Sequence, residues 1–582
     1  MNAFAALFGP PVIASLLWLT LFPRRRSLKG FLGVYTMLFC LIYFLEAFAD
    51  CFLSSERRDI FYKLRTYNDY ALRYTIIAGT LAVLLPVLCS LLKEVVPPFA
   101  ARCAARLDAR IPSPAHSGII LALYALVLFG MNLVRIFDNN IWGDEAFSIY
   151  MSTLPVSEIV RITAGDMHPP LYYFFVAASY RTLGARPWAY HLVSLVPYAV
   201  TLIFLVTVIR KRFGAWVSLL MITFSSILSA ALTYNVEIRM YSWAALFVLL
   251  AYYGFCRIIS EGSAAAYGVF IASSLAAAYT HYYALLSVAF FYLGLLVLSI
   301  RKRIRFRTLA LTYLLTVVGY LPWLRILFKS FVSASENFWL TTIISFTDCF
   351  RHFFWNKSTW YTVLMLFSAF LAIFLALKQE LGAGSAYPSC HLSDPGIRIL
   401  WGLLAVVGTI CVGEGVSYAV RPFLLDRYLY PVTPVFWLVF CISLSILPYK
   451  KLFCAAIFTL TCAVCIPQYC TRVSQERQQD RLIAKTQASM EEMIPPGDVI
   501  LNNQPNLNWT SLSYYLPDRP HWYADSPVQD FDLSLQNWIA WKFDLTQEEC
   551  EALQAAGYQV EETLHAGKLA EYPIHLYKVT AR

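Results

Sequence analysis

Five short clusters of ionisable residues stand beside apolar stretches of this sequence, and their side chains suit acid–base chemistry and anion binding. The first holds two adjacent carboxylates, Asp144 and Glu145, and the third joins an acid to a base, Glu237 and Arg239. The clusters occupy residues 142–148, 166–173, 237–241, 281–283 and 426–431. A carboxylate can accept a proton, and an arginine can bind two phosphate oxygens at once. Ionisable residues at membrane segments are candidates for a functional site.

Each cluster also has an ordinary structural explanation. The acidic pair could cap a helix N-terminus, and two prolines could simply begin a helix beside His168. Arg239 could reach lipid headgroups, and His281 could stabilise a tight turn between two helices. Arg427 stands among tyrosines that are common at membrane interfaces. The argument for function is therefore the coincidence of all five clusters.

The composition identifies the setting of these clusters as a membrane. Of 582 residues, 59% are hydrophobic and 14% are charged, whereas soluble domains are nearer ~45–50% and ~25%. This excludes a water-soluble enzyme, a disordered chain and a fibrous protein. The net charge of +10 is not a nucleic-acid footprint, because the basic residues stand in short groups at the ends of apolar segments.

Apolar stretches of about 20 residues predict an all-α polytopic membrane protein with about fourteen transmembrane helices. The predicted spans are 3–21, 30–53, 74–92, 117–137, 188–209, 214–233, 240–258, 264–280, 283–300, 308–328, 361–377, 397–420, 429–447 and 451–468. We expect the first of them to be retained and not cleaved as a signal peptide. The short segment 169–184 carries Arg181 and is predicted to be an interfacial helix on the outer side.

Basic residues beside the spans predict the orientation, since they favour the cytoplasmic side. The predicted cytoplasmic groups are Arg24–Arg26, Lys93 with Arg102, Arg106 and Arg110, Arg210–Arg212, Arg301–Arg307 and Lys450–Lys451. Alternation from these points places all five clusters, and the tail, outside the cytoplasm. We predict a plasma-membrane protein whose active site is extracytoplasmic.

Three regions are predicted along the chain. Residues 1–116 carry additional N-terminal transmembrane helices, 117–469 form the transmembrane core, and 470–582 form a small extracytoplasmic α/β domain. In the tail we predict helices at 475–493 and 546–556 and strands at 498–501, 558–564 and 573–579. Gly557 is placed to end the second of these helices.

The order of these motifs resembles glycosyltransferase family 39, in the C superfamily of glycosyltransferases. The motifs are Asp144-Glu145, His168-Pro169-Pro170-Leu171-Tyr172-Tyr173, Glu237-Ile238-Arg239-Met240-Tyr241, His281-Tyr282-Tyr283 and Arg427-Tyr428. The resemblance covers roughly residues 117–450 and is to the bacterial branch related to protein O-mannosyltransferases and the lipid A aminoarabinose transferase. The aminoarabinose transferases carry an acidic residue and Lys-Pro at the His-Pro-Pro position, which disfavours that reaction here.

The resemblance implies an inverting transferase with a polyprenyl-phosphate sugar as donor. Asp144 would be the general base, with Glu145 beside it orienting the acceptor or a cation. Cations must stabilise the departing lipid phosphate. The expected phosphate ligands are Arg239 and Arg427, assisted by His168 and Tyr283, with Glu237 and His281 in support.

The sugar is not indicated, and the acceptor could be a protein, a lipid or a glycan. No cofactor is firmly implied, although a divalent metal held by Asp144, Glu145, His168 and His281 stays open. A lipid-sugar flippase is an alternative; it predicts inverted repeats and charges near mid-membrane. A non-enzymatic membrane scaffold that presents the tail is another. It would leave the Asp144 and His168 clusters without a purpose.

Overall fold

A computed structural model of the chain describes residues 105–111, 117–337, 340, 342–383, 394–503, 508–523, 538–541, 545–569 and 572–581. The chain divides into two compact units, Met1–Arg110 and Ile111–Arg582. The predicted spans 3–21, 30–53 and 74–92 lie outside the described residues. Everything below concerns the second unit.

Eight helices of the described residues are long and apolar enough to cross a membrane, and the chain is a multi-pass membrane protein. They correspond to eight of the predicted spans. We label them α5 (Pro187–Phe213, with a π-helical turn at Leu205–Ile209), α8 (Tyr241–Glu261), α10 (Tyr282–Ile300), α11 (Phe306–Asn337), α13 (Thr359–Ala383), α14 (Asp394–Ala419), α15 (Thr433–Ile446, preceded by a 3₁₀ segment at Asp426–Val432) and α16 (Lys450–Met493).

Three further apolar helices are shorter and fall where spans are predicted: α1 (Ser117–Leu133), α6 (Ala215–Ile227) and α9 (Ala264–Ala278). Short helices complete this part of the chain: α2 (Gly143–Thr153), α3 (Val156–Thr163), α4 (Leu171–Leu183), α7 (Ser229–Tyr234) and α12 (Phe346–His352). Pro170 immediately precedes α4, as the Pro-Pro pair predicts. The count of about fourteen spans stays a prediction.

Helix α15 lies at the centre of the bundle. Its residues are almost all buried, and it packs against α6, α8, α13 and α14. Helix α11 is peripheral, since most of its spanning segment is exposed. This arrangement explains the apolar residues exposed on α11, which would face lipid.

The ends of the helices divide the charges into two groups. At one end, Arg212 pairs with Glu261 at 2.9 Å and Arg303 with Asp394 at 3.4 Å. Lys451 donates to the backbone oxygen of Ile111 at 3.1 Å. The five motif clusters stand at the opposite ends of the helices, before α2, α4, α8, α10 and α15.

Helix α16 corrects one detail of the predicted tail. The sequence predicts that the last span ends near residue 468 and that a separate helix occupies 475–493, but α16 continues unbroken through Lys450–Met493. Pro467 does not end it, and the residues that follow are rich in Gln, Glu and Arg, which favour helix. One helix therefore leads directly from the membrane to the tail.

The tail contains a mixed five-stranded sheet in the order β2-β1-β3-β5-β4. Its strands are β1 (Ile500–Asn503), β2 (His521–Tyr523), β3 (Trp538–Trp541), β4 (Tyr558–Leu569) and β5 (Tyr572–Ala581); its helices are α17 (Asn508–Tyr515) and α18 (Gln547–Ala555). Strand β1 pairs in parallel with β2 and β3, and β5 pairs antiparallel with β3 and β4. The sequence did not indicate β2, β3 or α17. These elements are short, and their sequences are rich in aromatic residues.

Candidate active site

Asp144 lies between two arginines that come from distant parts of the chain. Its Oδ2 is 3.4 Å from Nη1 of Arg427 and 3.8 Å from Nη2 of Arg239. Arg239 stands in the loop before α8, and Arg427 is in the 3₁₀ segment before α15. The side chain of Arg239 is 3% exposed and that of Arg427 is 22% exposed. The site therefore joins a carboxylate to a concentrated positive charge with little water around it.

The guanidinium of Arg239 is fixed by α2. Its Nη1 donates to the backbone oxygen of Asp144 at 3.2 Å and to Oγ of Ser148 at 3.3 Å. The backbone oxygen of Arg239 accepts from Oγ of Ser194 at 3.3 Å. Its Nε is buried and has no hydrogen-bond partner among the described residues. Such a buried donor is costly unless a ligand accepts from it.

Arg427 is held by aromatic rings. Its guanidinium carbon lies 5.5 Å from the centre of the Trp142 ring and 5.9 Å from that of Tyr428. These are distances at which a cation is attracted to a ring face. Its Nε, like that of Arg239, is buried without a partner in the described part of the chain.

Glu145 does not share the environment of Asp144. Its Oε1 accepts from the backbone N–H of Ile238 at 2.8 Å, and its Oε2 accepts from that of Trp142 at 3.3 Å. Burial, together with nearby Glu237, raises the pKa of Glu145 to about 8. The side chain therefore fastens the loop of Arg239 to α2, and its role in orienting an acceptor or a cation stays a prediction.

Glu237 was expected to hold Arg239. In the described residues Arg239 forms its ion pair with Asp144, and no ion pair joins it to Glu237. Glu237 Oε2 is buried without a hydrogen-bond partner in the same residues. Burial raises the pKa of Glu237 to about 7, although the charges of Arg427 and Arg239 oppose this shift. Glu237 therefore acts on Arg239 by electrostatic attraction at a distance and not by a direct ion pair.

His168, His281 and Tyr283 form an aromatic wall on one side of the charged centre. The ring centres of His168 and His281 are 5.6 Å apart, and that of Tyr428 is 5.1 Å from His281 and 5.3 Å from Tyr283. Burial lowers the pKa of both histidines, and the charge of Arg239 lowers it further. Nδ1 of His168 lies 3.7 Å from Oδ2 of Asp166. We interpret both imidazoles as neutral at pH 7.

His281 has a structural task of its own. Its Nδ1 accepts from the backbone N–H of Tyr283 at 3.1 Å and so caps the N-terminus of α10. This ring nitrogen is consequently not available to a ligand in this conformation.

The four residues considered for a metal do not gather into a metal-binding group. Asp144 faces two cations, and Glu145 accepts from two backbone N–H groups. Within the described residues, the group of His, Cys, Asp and Glu whose ligand atoms converge is in the tail, at Glu562, His565 and His575.

A largely apolar cavity of about 200 Å³ adjoins the aromatic wall. Its lining comes from the loop before α4, from α10 and its N-cap, from α11 and α14, and from the segment between α14 and α15: Met167, His168, His281, Tyr282, Tyr283, Leu286, Leu327, Ser330, Phe331, Val412, Gly413, Val416, Phe423 and Tyr428. Phe331 and Val412 are 47% and 41% exposed, so the cavity reaches the lipid-facing surface. His168, His281 and Tyr428, which line the cavity, belong to the aromatic wall beside the charged centre.

The tail supports the segment that carries Asp144. The hydroxyl of Tyr515, on α17, accepts from the backbone N–H of Ile141 and donates to the backbone oxygen of Asn139, both at 2.8 Å. Oγ1 of Thr510 donates to the backbone oxygen of Gly143 at 3.2 Å. Without these contacts, residues 139–143 would have buried polar groups to satisfy elsewhere.

Helix α16 anchors the beginning of the same segment. Arg135 binds Glu476 with both its Nε (2.9 Å) and its Nη2 (2.7 Å), and Arg472 donates to the same carboxylate at 2.8 Å. Oδ1 of Asp480 accepts from the backbone N–H of Asn139 at 2.8 Å. The paired fork of Arg135 makes this a directional contact.

For several residues of the site, the sequence predicts no role. Trp142 and Tyr428 lie within the motif clusters, but the sequence assigns them no role, because they carry no signal beyond being aromatic. Ser148 is one helical turn from Asp144, so its spacing of four residues was a usable signal. Tyr515 is separated from Ile141 by 374 residues, and nothing in its local sequence marks it.

No protein-family profile and no curated protein matches this sequence. Among solved structures, the fold is similar to that of ArnT from Cupriavidus metallidurans in the apo state, with a TM-score of 0.50 and 12% identity over 79% of this chain and 97% of that chain. The same enzyme bound to undecaprenyl phosphate aligns with a TM-score of 0.49 and 13% identity over the same shares. At 12% identity, this likeness shows that the chain shares its fold with ArnT.

Proposed function

We propose that this protein is an inverting membrane glycosyltransferase that moves a sugar from a polyprenyl-phosphate donor to an acceptor hydroxyl outside the cytoplasm. The observation that carries the proposal is Asp144 between Arg239 and Arg427, at the end of an apolar cavity. The likeness of fold to ArnT and the order of the sequence motifs support it independently of the geometry.

The two arginines suit the donor phosphate. Each has a buried Nε without a partner among the described residues, and together they present two forks to one point. In the resting site, Asp144 offsets one of their two positive charges. A phosphate dianion or diester would take over that balance, since its oxygens match the arginine forks better than one carboxylate oxygen does. The negative charge of the substrate phosphate would then offset the free-energy cost of burying the two guanidinium groups.

Release of Asp144 from the arginines would make it the base. The acceptor oxygen attacks C1 of the sugar from the face opposite the phosphate, and its proton passes to Asp144. The bond between C1 and the phosphate oxygen breaks, and the electron pair leaves with the lipid phosphate. Arg239 and Arg427 stabilise this developing charge. Neutral His168 has an imidazole N–H to donate to the same oxygens.

The cavity would hold the first isoprene units of the lipid. Its apolar wall lies beside His168 and Tyr428, so a phosphate at the arginines and a tail in the cavity are contiguous. Exposure of Phe331 and Val412 would let the lipid enter sideways. An apolar chain leaving lipid for an apolar groove loses little free energy of transfer.

The separation of charges between the helix ends supports an orientation of the protein in the membrane. Arg212, Arg303 and Lys451 stand at the end opposite Asp144, and basic residues favour the cytoplasm. The site would consequently open to the outside, and the region 470–582 would be an extracytoplasmic domain. We assign no role to the proposed N-terminal helices of 1–116.

The test is turnover of a defined donor by the purified protein. Polyprenyl-phosphate hexoses and pentoses, radiolabelled in the sugar, would be incubated with the protein in nanodiscs with candidate protein, lipid and glycan acceptors. We expect transfer from at least one donor with inversion at C1, and none with Asp144→Asn. Flipping of the donor between leaflets without transfer would replace the proposal by the flippase alternative.

A further inference from the structure

Away from the site, the edge of the tail sheet carries three side chains with the chemistry of metal ligands. Glu562 and His565 are on β4, and His575 is on β5. Oε1 of Glu562 is 2.9 Å from Nδ1 of His565 and 3.3 Å from Nδ1 of His575. All three ligand atoms lie within 4.8 Å of one another. Neither the transferase proposal nor the motifs use these residues.

The irregular pairing of β4 is what brings the group together. Residues three apart on a regular strand point to opposite faces, so Glu562 and His565 should diverge. The register shifts between Glu562 and Leu564 and again between Leu564 and Gly567. In the second interval His565 and Ala566 stand opposite the single residue His575, which is the arrangement of a β-bulge. Bulges redirect side chains in this way, often beside functional sites.

We infer that Glu562, His565 and His575 form a binding site for a divalent transition metal of the zinc class. Two imidazoles and one carboxylate are the ligand set of open zinc sites, in which water fills the fourth position. Tetrahedral ligands about 2.0–2.1 Å from the metal are about 3.4 Å apart, and two of the three separations are already close to that.

The exposure of the three side chains fits such a site. His575 is 7% exposed and so is held in place, whereas His565 is 66% exposed. An ion could approach past His565 and keep a water ligand on that side. Nitrogen and carboxylate ligands favour zinc and its transition-metal neighbours over magnesium or calcium, which prefer oxygen alone. Bound metal would cross-link β4 to β5 where their pairing is irregular.

The experiment is zinc binding to the full-length protein in detergent, purified without a polyhistidine tag. Isothermal titration with Zn²⁺ gives the stoichiometry, and substitution with Co²⁺ gives a visible spectrum that reports tetrahedral nitrogen and oxygen ligation. We expect one equivalent. His565→Ala and Glu562→Gln should weaken binding by more than the about 10–100-fold typical of losing a residue that only supports a ligand.

Two control variants accompany these. Glu561→Gln makes the same chemical change on the neighbouring residue of β4 and should leave binding unchanged. Asp144→Asn should also bind one equivalent, which separates this site from the transferase centre. Because His565 is exposed, His565→Ala should fold even if the buried His575→Ala does not. Wild-type Zn²⁺ affinity in both His565→Ala and Glu562→Gln, or no zinc bound by the wild type, would overturn the inference.

Discussion

At the scale of single residues, the two adjacent carboxylates of the first motif have different surroundings and different expected roles. Asp144 touches both arginines, whereas Glu145 accepts hydrogen bonds from two backbone N–H groups. The sequence shows two adjacent acids but not their different surroundings. The backbone N–H that binds Glu145 and not Asp144 belongs to Ile238, which is 93 residues away. Three predictions concern these residues and Arg239.

Asp144→Asn should reduce turnover by about 10²–10⁴, the usual contribution of a general base. Asparagine keeps the shape but cannot take the acceptor proton. We expect the donor to bind nearly as before, measured by displacement of a fluorescent polyprenyl phosphate. Full activity in Asp144→Asn alongside an inactive Glu145→Gln would transfer the role of base to Glu145.

Arg239→Ala should lower donor turnover by about 10²–10³, as loss of one group that stabilises a developing anion does. Arg239→Lys should recover part of it, since lysine supplies charge without the paired fork. Initial rates at saturating acceptor measure both. Arg212→Ala, which removes an ion pair at the opposite ends of the helices, is the matched control and should keep its activity.

The free energy of unfolding should decrease as the pH rises, because Glu145 is protonated in the folded state. Its folded-state pKa of about 8 lies above the ordinary glutamate value of 4.5, so the folded state holds a proton that the unfolded state releases. The stability from this group is complete below about pH 4.5 and is lost as pH rises toward about 8. The Tm in detergent should fall over this window, and less steeply in Glu145→Gln. Identical slopes for the two proteins would show that Glu145 is ionised when folded.

At the scale of secondary-structure elements, the sequence predicts the long apolar helices well, because about 20 apolar residues have one stable state in lipid. Elements built from mixed aromatic and polar residues are less predictable. Helix α17 and strands β2 and β3 were missed for this reason, and the end of α16 was placed too early. The tail contacts the Asp144 segment through α17. Because α17 was not predicted, this contact could not be predicted from the sequence either.

Tyr515→Phe tests whether α17 positions the Asp144 segment. The change leaves the backbone N–H of Ile141 and the oxygen of Asn139 without their partner, at a cost of about 1–3 kcal/mol. We expect kcat to fall with little change in KM for the donor. Tyr558→Phe makes the same substitution on β4, away from the segment, and should leave both constants unchanged. Equal losses in the two variants would mean that only general stability had changed.

At the scale of the whole molecule, the separation of basic helix ends from the motif clusters makes topology testable. Ser511 would suit a labelling experiment by its position, but it is buried. Glu548, on α18, is exposed, and Cys470 is an exposed native thiol. In a background with all 14 native cysteines replaced by serine, Glu548→Cys should react with an impermeant maleimide on intact cells. Arg305→Cys, at the opposite ends, should react only after permeabilisation; the reverse pattern would invert the topology.

The contact between Arg135 and Glu476 joins residues 341 positions apart, and this has a consequence for biosynthesis. At about 5–20 residues per second, a ribosome completes Glu476 about 20–70 s after Arg135. The Tyr515 contacts come later still. During that interval, most of the bundle can be in the membrane while the Asp144 segment lacks its supports. A nascent chain that already holds every motif residue should thus be inert toward lipid-linked sugars, and a premature stop codon before Tyr515 should behave as a null allele.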